Sequence, residues 1–190
     1  MAAKEHVKRW REVDGVIYIQ LPATNGTTYP EWKERLMDQG FRFSKSATKV
    51  FSKLVMPPTT GVIREIAVLK GVLFEDGNRT FKNIQAEGDK RGLKYGKALE
   101  TNIEILFQIR ETLSDEDFKE MGLDWIVVMC DSVKDSRGNP FFLRVGCADG
   151  GRWVDASYDR PGYKFVIERG FALMVQAYLA ESVKPVKARR

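Results

Sequence analysis

The chain has 190 residues, 43% of them hydrophobic and 30% charged, and a formal net charge of +5. These values are typical of one globular domain and exclude a wholly disordered chain. No apolar run approaches the roughly 20 residues that cross a bilayer, and the charged N-terminus lacks the apolar core of a signal peptide. We therefore predict a soluble, cytoplasmic protein without membrane association.

The first predicted elements are a strand and a helix. Residues 1–14 carry charge throughout and are expected to form a tail. Val16–Leu21 is a short run rich in residues that favour strands, and a turn-prone segment follows it. Thr28 and Glu31 have capping-box spacing, and Gly40 can end a helix, so we predict a helix between them.

A hairpin is predicted next. Residues 41–44 alternate like a strand, and residues 47–55 fit a helix and a strand equally well. Val62–Phe74 is the clearest strand pattern in the chain. Asp76-Gly77 is typical of a tight hairpin turn, so residues 79–84 are predicted to return as the second arm.

The strongest helix pattern covers residues 98–113. Its stripe at helical spacing consists of Leu99, Ile103, Leu106, Arg110 and Leu113. Arg110 is the one charged member of that stripe. A shorter helix is predicted between the capping residue Ser114 and Gly122.

Strands and a last helix are predicted in the C-terminal part. Residues 125–133 and 141–147 are expected to form a second hairpin, and residues 152–158 a further strand. Residues 166–181 are predicted as a terminal helix because their apolar residues recur at helical spacing: Ile167, Phe171, Met174 and Tyr178. Residues 183–190 are expected to form a basic tail.

Together these elements predict the α+β class. We expect an antiparallel sheet of about five or six strands, built from two hairpins and packed by three or four helices. Tight turns join several strand pairs, and only antiparallel neighbours permit such turns. Residues 15–182 are predicted to form a single domain, because no linker or internal repeat divides them.

Several kinds of catalytic site are excluded by residue content. The single histidine, His6, lies in the predicted tail, and the cysteines are limited to Cys130 and Cys147. A zinc site needs about four clustered ligands, and nucleophilic triads need a well-placed base. Phosphate-loop and dinucleotide-binding fingerprints are also absent. We predict no catalytic residue, no metal and no cofactor.

The two cysteines are expected to lie on the two arms of the second hairpin. Pairing Lys134 with Pro140 would place Cys130 opposite Arg144 and would point Cys147 to the other face. Without a disulfide framework, two buried thiols in a reducing compartment are expected.

Charge is distributed unevenly along the chain. Residues 100–135 hold 10 Asp and Glu against 3 Lys and Arg, and basic segments precede and follow this acidic block. The molecule is therefore expected to have faces of opposite sign, one of which favours an anionic partner.

The first candidate site is the segment 79–97. Three glycines at intervals of four leave backbone N–H groups reachable, and a helix N-terminus follows. Tyr95 offers a ring on which a base could stack. The predicted contacts are Arg79, Lys82, Lys90, Arg91, Lys94, Tyr95 and Lys97. A solvated loop whose charge serves solubility is the alternative interpretation.

The second candidate site is the segment 42–53, which contains no acidic residue. Its basic residues recur about every fourth position and, on a helix, would line one face and could follow a phosphate backbone. The predicted contacts are Arg42, Lys45, Lys49 and Lys53. An amphipathic element with a charged outer face is again the alternative.

Three functions fit these observations. The first is a non-catalytic protein that binds nucleic acid or another polyanion mainly through electrostatics. The second is a protein-interaction or inhibitory domain that docks through the acidic block or through the aromatic run 152–163. The third is a metal-dependent nuclease that uses the aspartates near strand ends: Asp124, Asp131, Asp135, Asp149, Asp155 and Asp159. The sequence predicts no oligomeric state.

Overall fold

The computed structural model describes residues 8–52, 57–95, 99–148 and 150–179. Its helices are α1 (Tyr29–Asp38), α2 (Lys45–Phe51), α3 (Phe81–Lys90), α4 (Leu99–Thr112) and α5 (Asp115–Met121). Its strands are β1 (Trp10–Val13), β2 (Val16–Leu21), β3 (Phe41–Phe43), β4 (Val62–Lys70), β5 (Trp125–Lys134), β6 (Pro140–Ala148), β7 (Gly151–Tyr158) and β8 (Arg169–Leu179). None of the described helices is long and apolar enough to cross a membrane.

The strands form one mixed sheet with the order β1-β2-β4-β8-β5-β6-β7-β3. Two neighbouring pairs are parallel, β5 with β8 and β3 with β7, and the others are antiparallel. The predicted fold of five or six antiparallel strands from two hairpins with three or four helices is therefore wrong. The described residues form eight strands in a mixed sheet with five helices, and long connections rather than tight turns join the parallel pairs.

Many local predictions are confirmed. The predicted strand 16–21 is β2, and α1 begins at a Thr28–Glu31 capping box as predicted. The predicted helices 98–113 and 114–122 are α4 and α5. The ambiguous segment 47–55 is helical in its described part, where α2 ends at Phe51.

Strand alternation divides the core into two layers. In β4, Ile66 and Val68 face one layer, whereas Ala67 and Leu69 face the other. Helices α1, α2, α4 and α5 cover the first face. Helix α3 and the segment around Phe165 cover the second.

Helix α4 lies at the centre of the first layer, where all residues from 103 to 110 are buried. The neighbouring α5 contacts both sides of the sheet: Asp117 accepts a hydrogen bond from the Trp10 indole in β1, and Asp115 accepts one from Arg152 in β7. Six strand spacings separate β1 from β7, about 29 Å in a flat sheet. The sheet therefore curves around α4 and α5.

Helix α3 replaces the predicted return arm of the first hairpin. Thr80 caps this helix by accepting a hydrogen bond from the backbone N–H of Asn83. Gly88 lies against β8, where a Cβ atom would come within 2.5 Å of the Leu173 side chain. The predicted turn at Asp76-Gly77 is present. However, Thr80 then caps a helix, so the chain does not return as a strand.

Strand β8 replaces the predicted terminal helix over its described residues. It lies between β4 and β5 in the middle of the sheet. A central strand buries both faces and reads as a continuous apolar run, which spacing alone cannot distinguish from a buried helix. Residues 10–13, predicted as part of the tail, form β1, and residues 183–190 lie outside the described residues.

The hairpin β5–β6 is confirmed, but its pairing is not regular. Lys134 faces Pro140 as expected, yet an irregularity between Val128 and Val133 shifts the register. Arg144 therefore faces Val127 instead of Cys130. Cys130 is buried as predicted, whereas Cys147 is only half-buried.

A buried ionic cluster joins β4 to α4. The Arg64 guanidinium lies 3.0 Å from the Glu104 carboxylate and donates a 3.3 Å hydrogen bond to the Gln108 side chain. The Thr59 hydroxyl donates to Glu104 at 2.6 Å. Arg64 and Glu104 are only 1% and 4% exposed, so the pair depends on these contacts in place of water.

Candidate anion-binding cleft

A cleft of about 730 Å³ opens at one end of the sheet. The C-terminal end of α1, the start of α5 and the turn between β6 and β7 form its walls. Its charged side chains are Arg42, Asp115, Lys119, Asp124 and Arg152, and the thiol of Cys147 also lines it. These residues are far apart in the sequence and meet because β6, β7 and β3 are neighbours in the sheet and Asp115 of α5 contacts Cys147 and Arg152.

Asp115, the first residue of α5, organises the floor of the cleft. Its carboxylate accepts hydrogen bonds from Arg110 Nη2, from Arg152 Nε at 2.7 Å and from the Cys147 thiol at 3.2 Å. Burial raises the pKa of Asp115, but these hydrogen bonds together outweigh burial and hold the pKa below its ordinary value. Asp115 is thus ionised, and its oxygen atoms already accept hydrogen bonds from other side chains of the protein.

Arg110 lies beneath Asp115 and is buried. Its guanidinium is 4.7 Å from the Phe41 ring centroid and 4.8 Å from that of Phe118. It also donates to the backbone carbonyl of Leu113 at 3.0 Å. Two aromatic rings and fixed acceptors therefore hold one positive charge rigidly under the cleft.

Arg152 and Arg42 form the wall beside β7 and β3. Arg152 Nη1 donates to the carbonyl of Gln39 at the end of α1, at 3.3 Å. The Arg42 guanidinium lies 5.5 Å from the Trp153 ring centroid. Gly151 lies beside both side chains: a Cβ atom there would lie 3.0 Å from Trp153 Nε1, a tight contact, and 3.4 Å from Arg42 Nη1, an ordinary one.

The cleft carries an excess of positive charge. Its two carboxylates are already paired, Asp115 with Arg110 and Arg152, and Asp124 with Arg169 at 3.7 Å. Among the described residues, neither Arg42 nor Lys119 has an ion-pair partner. These two exposed cations are available to a ligand, and an anion would meet no unpaired carboxylate of the described wall.

The chemistry of Cys147 does not favour a nucleophile. Burial and the hydrogen bond to Asp115 raise the pKa of Cys147 to about 11. Reactive cysteines have lowered pKa values, because the thiolate is the nucleophile. Cys147 therefore acts in this cleft as a neutral hydrogen-bond donor to Asp115.

Alkylation by iodoacetamide tests this assignment. We expect the rate at Cys147 to be half-maximal near pH 11, because only the thiolate reacts, whereas an ordinary thiol reaches half its maximal rate about two pH units lower. Asp115→Asn should speed the reaction at pH 8 several-fold, since Arg110 and Arg152 then favour the thiolate unopposed. Cys147→Ser identifies the modified residue, and a half-maximal rate near pH 9 would contradict the proposed hydrogen bond.

Helix α3 and its flanks contain most of the first predicted segment. Arg79 is buried and donates to the backbone carbonyls of Phe165 and Phe74, each at 3.0 Å, so it fastens a loop to the core. Lys90 and Arg91 are exposed but pair with Glu87 at 3.6 Å and 2.8 Å. Exposed pairs of this kind are weak and salt-sensitive.

The remaining residues of that segment differ in their surroundings. Lys82 and Lys94 have exposed side chains, although the Lys94 backbone pairs with Met174 of β8. Tyr95 is half-buried in the second core layer, and burial raises its pKa well above the ordinary value. Its ring is therefore largely used in packing. Lys97 lies outside the described residues.

The second predicted segment contributes one residue to the cleft. Arg42 lies there on β3, whereas Lys45 and Lys49 are exposed on α2. Lys49 lies 3.1 Å from Asp135. Burial raises the pKa of Asp135, but hydrogen bonds from Arg137, Asn139 and Lys49 outweigh burial and lower it well below the ordinary range. Lys53 lies outside the described residues.

The two predicted segments are not joined into one surface. Helix α2 packs through Ala47, Val50 and Phe51 on the first face of the sheet, and α3 packs through Ile84 on the second. The sheet thus separates them. The cleft instead joins Arg42 to Lys119 and Arg152, with Arg110 buried beneath them, and sequence reasoning did not single out any of these three as a cation contact.

One sequence signal pointed towards the missed part of the site. Arg110 interrupts an otherwise apolar helical stripe, and a charged residue in that position requires a buried partner. Its partner, Asp115, follows five residues later. The convergence of this pair with Cys147 and Arg152 depends on the strand order, which has no local signal.

The acids of the sequence are mostly engaged within the molecule. In the acidic block, Glu104, Glu111, Asp115 and Asp135 have ion-pair partners, and Asp117 accepts the Trp10 hydrogen bond. Across residues 8–52, 57–95, 99–148 and 150–179, no three His, Cys, Asp or Glu side chains cluster as metal ligands. Asp149 lies outside those ranges.

Comparison of the chain with protein-family models, with curated proteins and with solved structures found no match.

Proposed function

We propose that this protein is a non-catalytic binding protein for nucleic acid or another polyanion, and that the cleft is its principal contact. The observation that carries the proposal is the pair Arg42 and Lys119. Both are exposed, both line the cleft, and neither has an ion-pair partner among the described residues. Cations left free at a concave surface attract anions and steer their association.

The organisation of the floor supports the same proposal. Arg110 and Arg152 hold Asp115 in two charge-assisted contacts, so the carboxylate does not repel an approaching anion as a free one would. The raised pKa of the Cys147 thiol disfavours covalent chemistry at that residue. A cytoplasmic location belongs to this proposal.

The α3 segment is the rival contact surface. Its exposed Lys82, Lys90 and Lys94 remain candidates, but Glu87 already pairs with Lys90 and Arg91. Docking through the acidic block receives less support, because Glu104, Glu111 and Asp115 of that block have internal partners. The cleft is therefore the contact that the geometry favours.

Fluorescence anisotropy of labelled single-stranded DNA, duplex DNA and RNA tests the proposal at about 50 and 200 mM salt. We expect binding in the micromolar range or tighter at the lower salt, falling about tenfold or more at the higher. The double variant Arg42→Glu, Lys119→Glu should weaken binding about tenfold or more, because it replaces two positive charges of the cleft with negative ones.

The matched comparison is Lys90→Glu, Lys94→Glu, which makes the same change of net charge at the end of α3 and just after it. Binding that survives this variant but not the cleft variant supports the cleft. The opposite result would move the contact to α3. A wild-type protein that binds none of the three nucleic acids at low salt, and no heparin either, would overturn the function itself.

A further inference from the structure

Arg169, the first residue of β8, lies beside the cleft and next to Asp124. Its guanidinium is 3.7 Å from the carboxylate of Asp124, which lines the cleft. Only 16% of the Arg169 side chain is exposed, whereas 61% of the Asp124 side chain is exposed. Asp124 therefore links the cleft to a largely buried positive charge.

The guanidinium of Arg169 lacks the acceptors that a buried positive charge requires. Its Nη1 atom is buried and has no hydrogen-bond partner among the described residues. The same atom forms the ion pair with Asp124, and 3.7 Å is too long for a hydrogen bond. Buried charges are ordinarily paired and hydrogen-bonded, because these contacts replace those with water. Arg169 thus has a donor that the protein itself does not satisfy.

The neighbouring Arg144 differs, because its guanidinium is satisfied. Arg144 and Arg169 lie beside the same ring, with their guanidinium carbons 4.2 Å and 5.9 Å from the Trp125 ring centroid. Arg144 Nε donates to Asp155 at 2.7 Å, and Arg144 Nη2 lies 2.6 Å from the same carboxylate oxygen. Burial, and next the positive charge of Arg144, lower the pKa of Arg169. Asp155 is committed to Arg144, so Arg169 is the guanidinium of this pair that attracts a further anion.

We infer that Arg169 binds a phosphate group at the edge of the cleft, and that the Asp124 carboxylate takes the position of that phosphate in the free protein. This inference rests on the proposed function and adds a second contact with the backbone of the bound nucleic acid. A phosphate accepts charge-assisted hydrogen bonds from a guanidinium at about 2.8 Å. Such a ligand supplies the acceptor that Nη1 lacks.

The Asp124 side chain can leave Arg169 without a change in the backbone. The Asp124 N–H donates to the carbonyl of Glu168 at 3.0 Å, and its carbonyl accepts from the N–H of Cys147 at 2.9 Å, so the main chain is fixed. Within the described ranges, no group donates a hydrogen bond to the Asp124 carboxylate. An ion pair with one exposed partner and no hydrogen bond contributes little, so a phosphate displaces it easily.

Arg169 and Arg42 lie in one row across the sheet. The row runs through β8, β5, β6, β7 and β3, and its directly paired residues are Arg169, Trp125, Gly146, Trp153 and Arg42. Paired residues project from the same face of a sheet, and no acid belongs to this row. Four strand spacings, about 19 Å in a flat sheet, separate its two ends. An extended anion with several phosphates can therefore contact Arg42 in the cleft and Arg169 beside it.

Fluorescence anisotropy at about 50 mM salt tests the contact, with the nucleic acid that the wild type binds most tightly among single-stranded DNA, duplex DNA and RNA. Arg169→Gln should weaken binding about fivefold or more. The matched control Arg137→Gln removes one exposed positive charge at the other end of the β5–β6 hairpin and should change binding less than about twofold.

Asp124→Asn is expected to act in the opposite direction. It should tighten binding about threefold or more, because the carboxylate that competes with the phosphate is lost. Glu168→Gln removes the same charge next to Arg169 in the chain, where no described cation forms an ion pair with it, and should have a smaller effect. Circular dichroism and thermal unfolding establish that each variant is folded.

The double variant Asp124→Asn, Arg169→Gln decides whether Asp124 acts through Arg169. We expect its affinity to equal that of Arg169→Gln within about twofold, because without the guanidinium there is no position to compete for. An equal gain from Asp124→Asn in both backgrounds would mean that Asp124 acts only through the charge of the cleft. That result would overturn the inference while the cleft stands.

Inorganic phosphate separates this site from the proposed function. At about 20 mM and equal ionic strength, phosphate should raise the Tm of the wild type by about 2 °C or more relative to chloride, and Arg169→Gln should abolish the rise. Stabilisation by phosphate through Arg169, without binding of any nucleic acid or heparin, would keep the site and overturn the proposed function. Absence of both effects would overturn both.

Discussion

Replacing Arg64 by methionine is expected to lower the free energy of unfolding by about 3–5 kcal/mol. The change removes one member of a fully buried ion pair, and among the described residues it leaves the Glu104 carboxylate with Thr59 alone as a close donor. It also removes the hydrogen bond that Arg64 donates to the Gln108 side-chain oxygen. The amide nitrogen of the same Gln108 side chain donates to the carbonyl of Pro22 at 2.8 Å. A loss of that size is a large part of the stability of an ordinary domain.

Urea unfolding followed by tryptophan fluorescence measures this loss. Arg11→Met is the matched control, because Arg11 pairs with Glu65 at 3.3 Å on the exposed surface, and it should cost about 1 kcal/mol or less. The double variant Arg64→Met, Glu104→Leu should recover most of the stability, since no buried charge is left unpaired. A single variant within about 1 kcal/mol of the wild type would contradict the role of the pair.

Phe107→Ala is expected to destabilise the protein by about 3–5 kcal/mol. Phe107 is completely buried on α4. The centroid of its ring lies 5.5–6.4 Å from the ring centroids of four other side chains, Tyr29, Trp32, Phe43 and Phe51. Removing the ring leaves a cavity where α1, α2 and β3 meet the central helix, and such packed surroundings collapse only partly.

Thermal unfolding measures this second loss, with an expected fall in Tm of about 6–20 °C for a domain of this size. Phe107→Leu should cost less than the alanine variant, because it fills more of the cavity. Tyr158→Ala removes an exposed ring at the end of β7 and should change stability by about 1 kcal/mol or less. Equal losses for the buried and the exposed ring would contradict the central position of α4.

The predicted site residues show which features of the site can be inferred from the sequence and which require the structure. Arg42 was predicted as a cation contact from its basic neighbourhood, and it lies in the cleft on β3. Arg79 was predicted from the same kind of pattern, yet it is buried against backbone carbonyls. Composition marks where positive charge occurs, but burial decides which cations face solvent.

Elements that carry local signals can be predicted from their own residues. Capping boxes at Thr28 and Ser114 begin α1 and α5, because side-chain oxygens satisfy backbone N–H groups of the first turn. The β5–β6 hairpin and the length of α4 were also readable from patterns within each segment. The lack of a histidine cluster or phosphate loop followed from residue content alone.

The identity of β8, the strand order and the cleft depend on contacts between distant parts of the chain. A strand buried on both faces lacks the alternation that marks a half-buried one, so β8 resembled a helix in its spacing. Parallel pairing and sheet curvature arise from contacts between distant segments, such as Trp10 with Asp117. The cleft depends on those same contacts, which is why Asp115, Cys147 and Arg152 come together only in the folded chain.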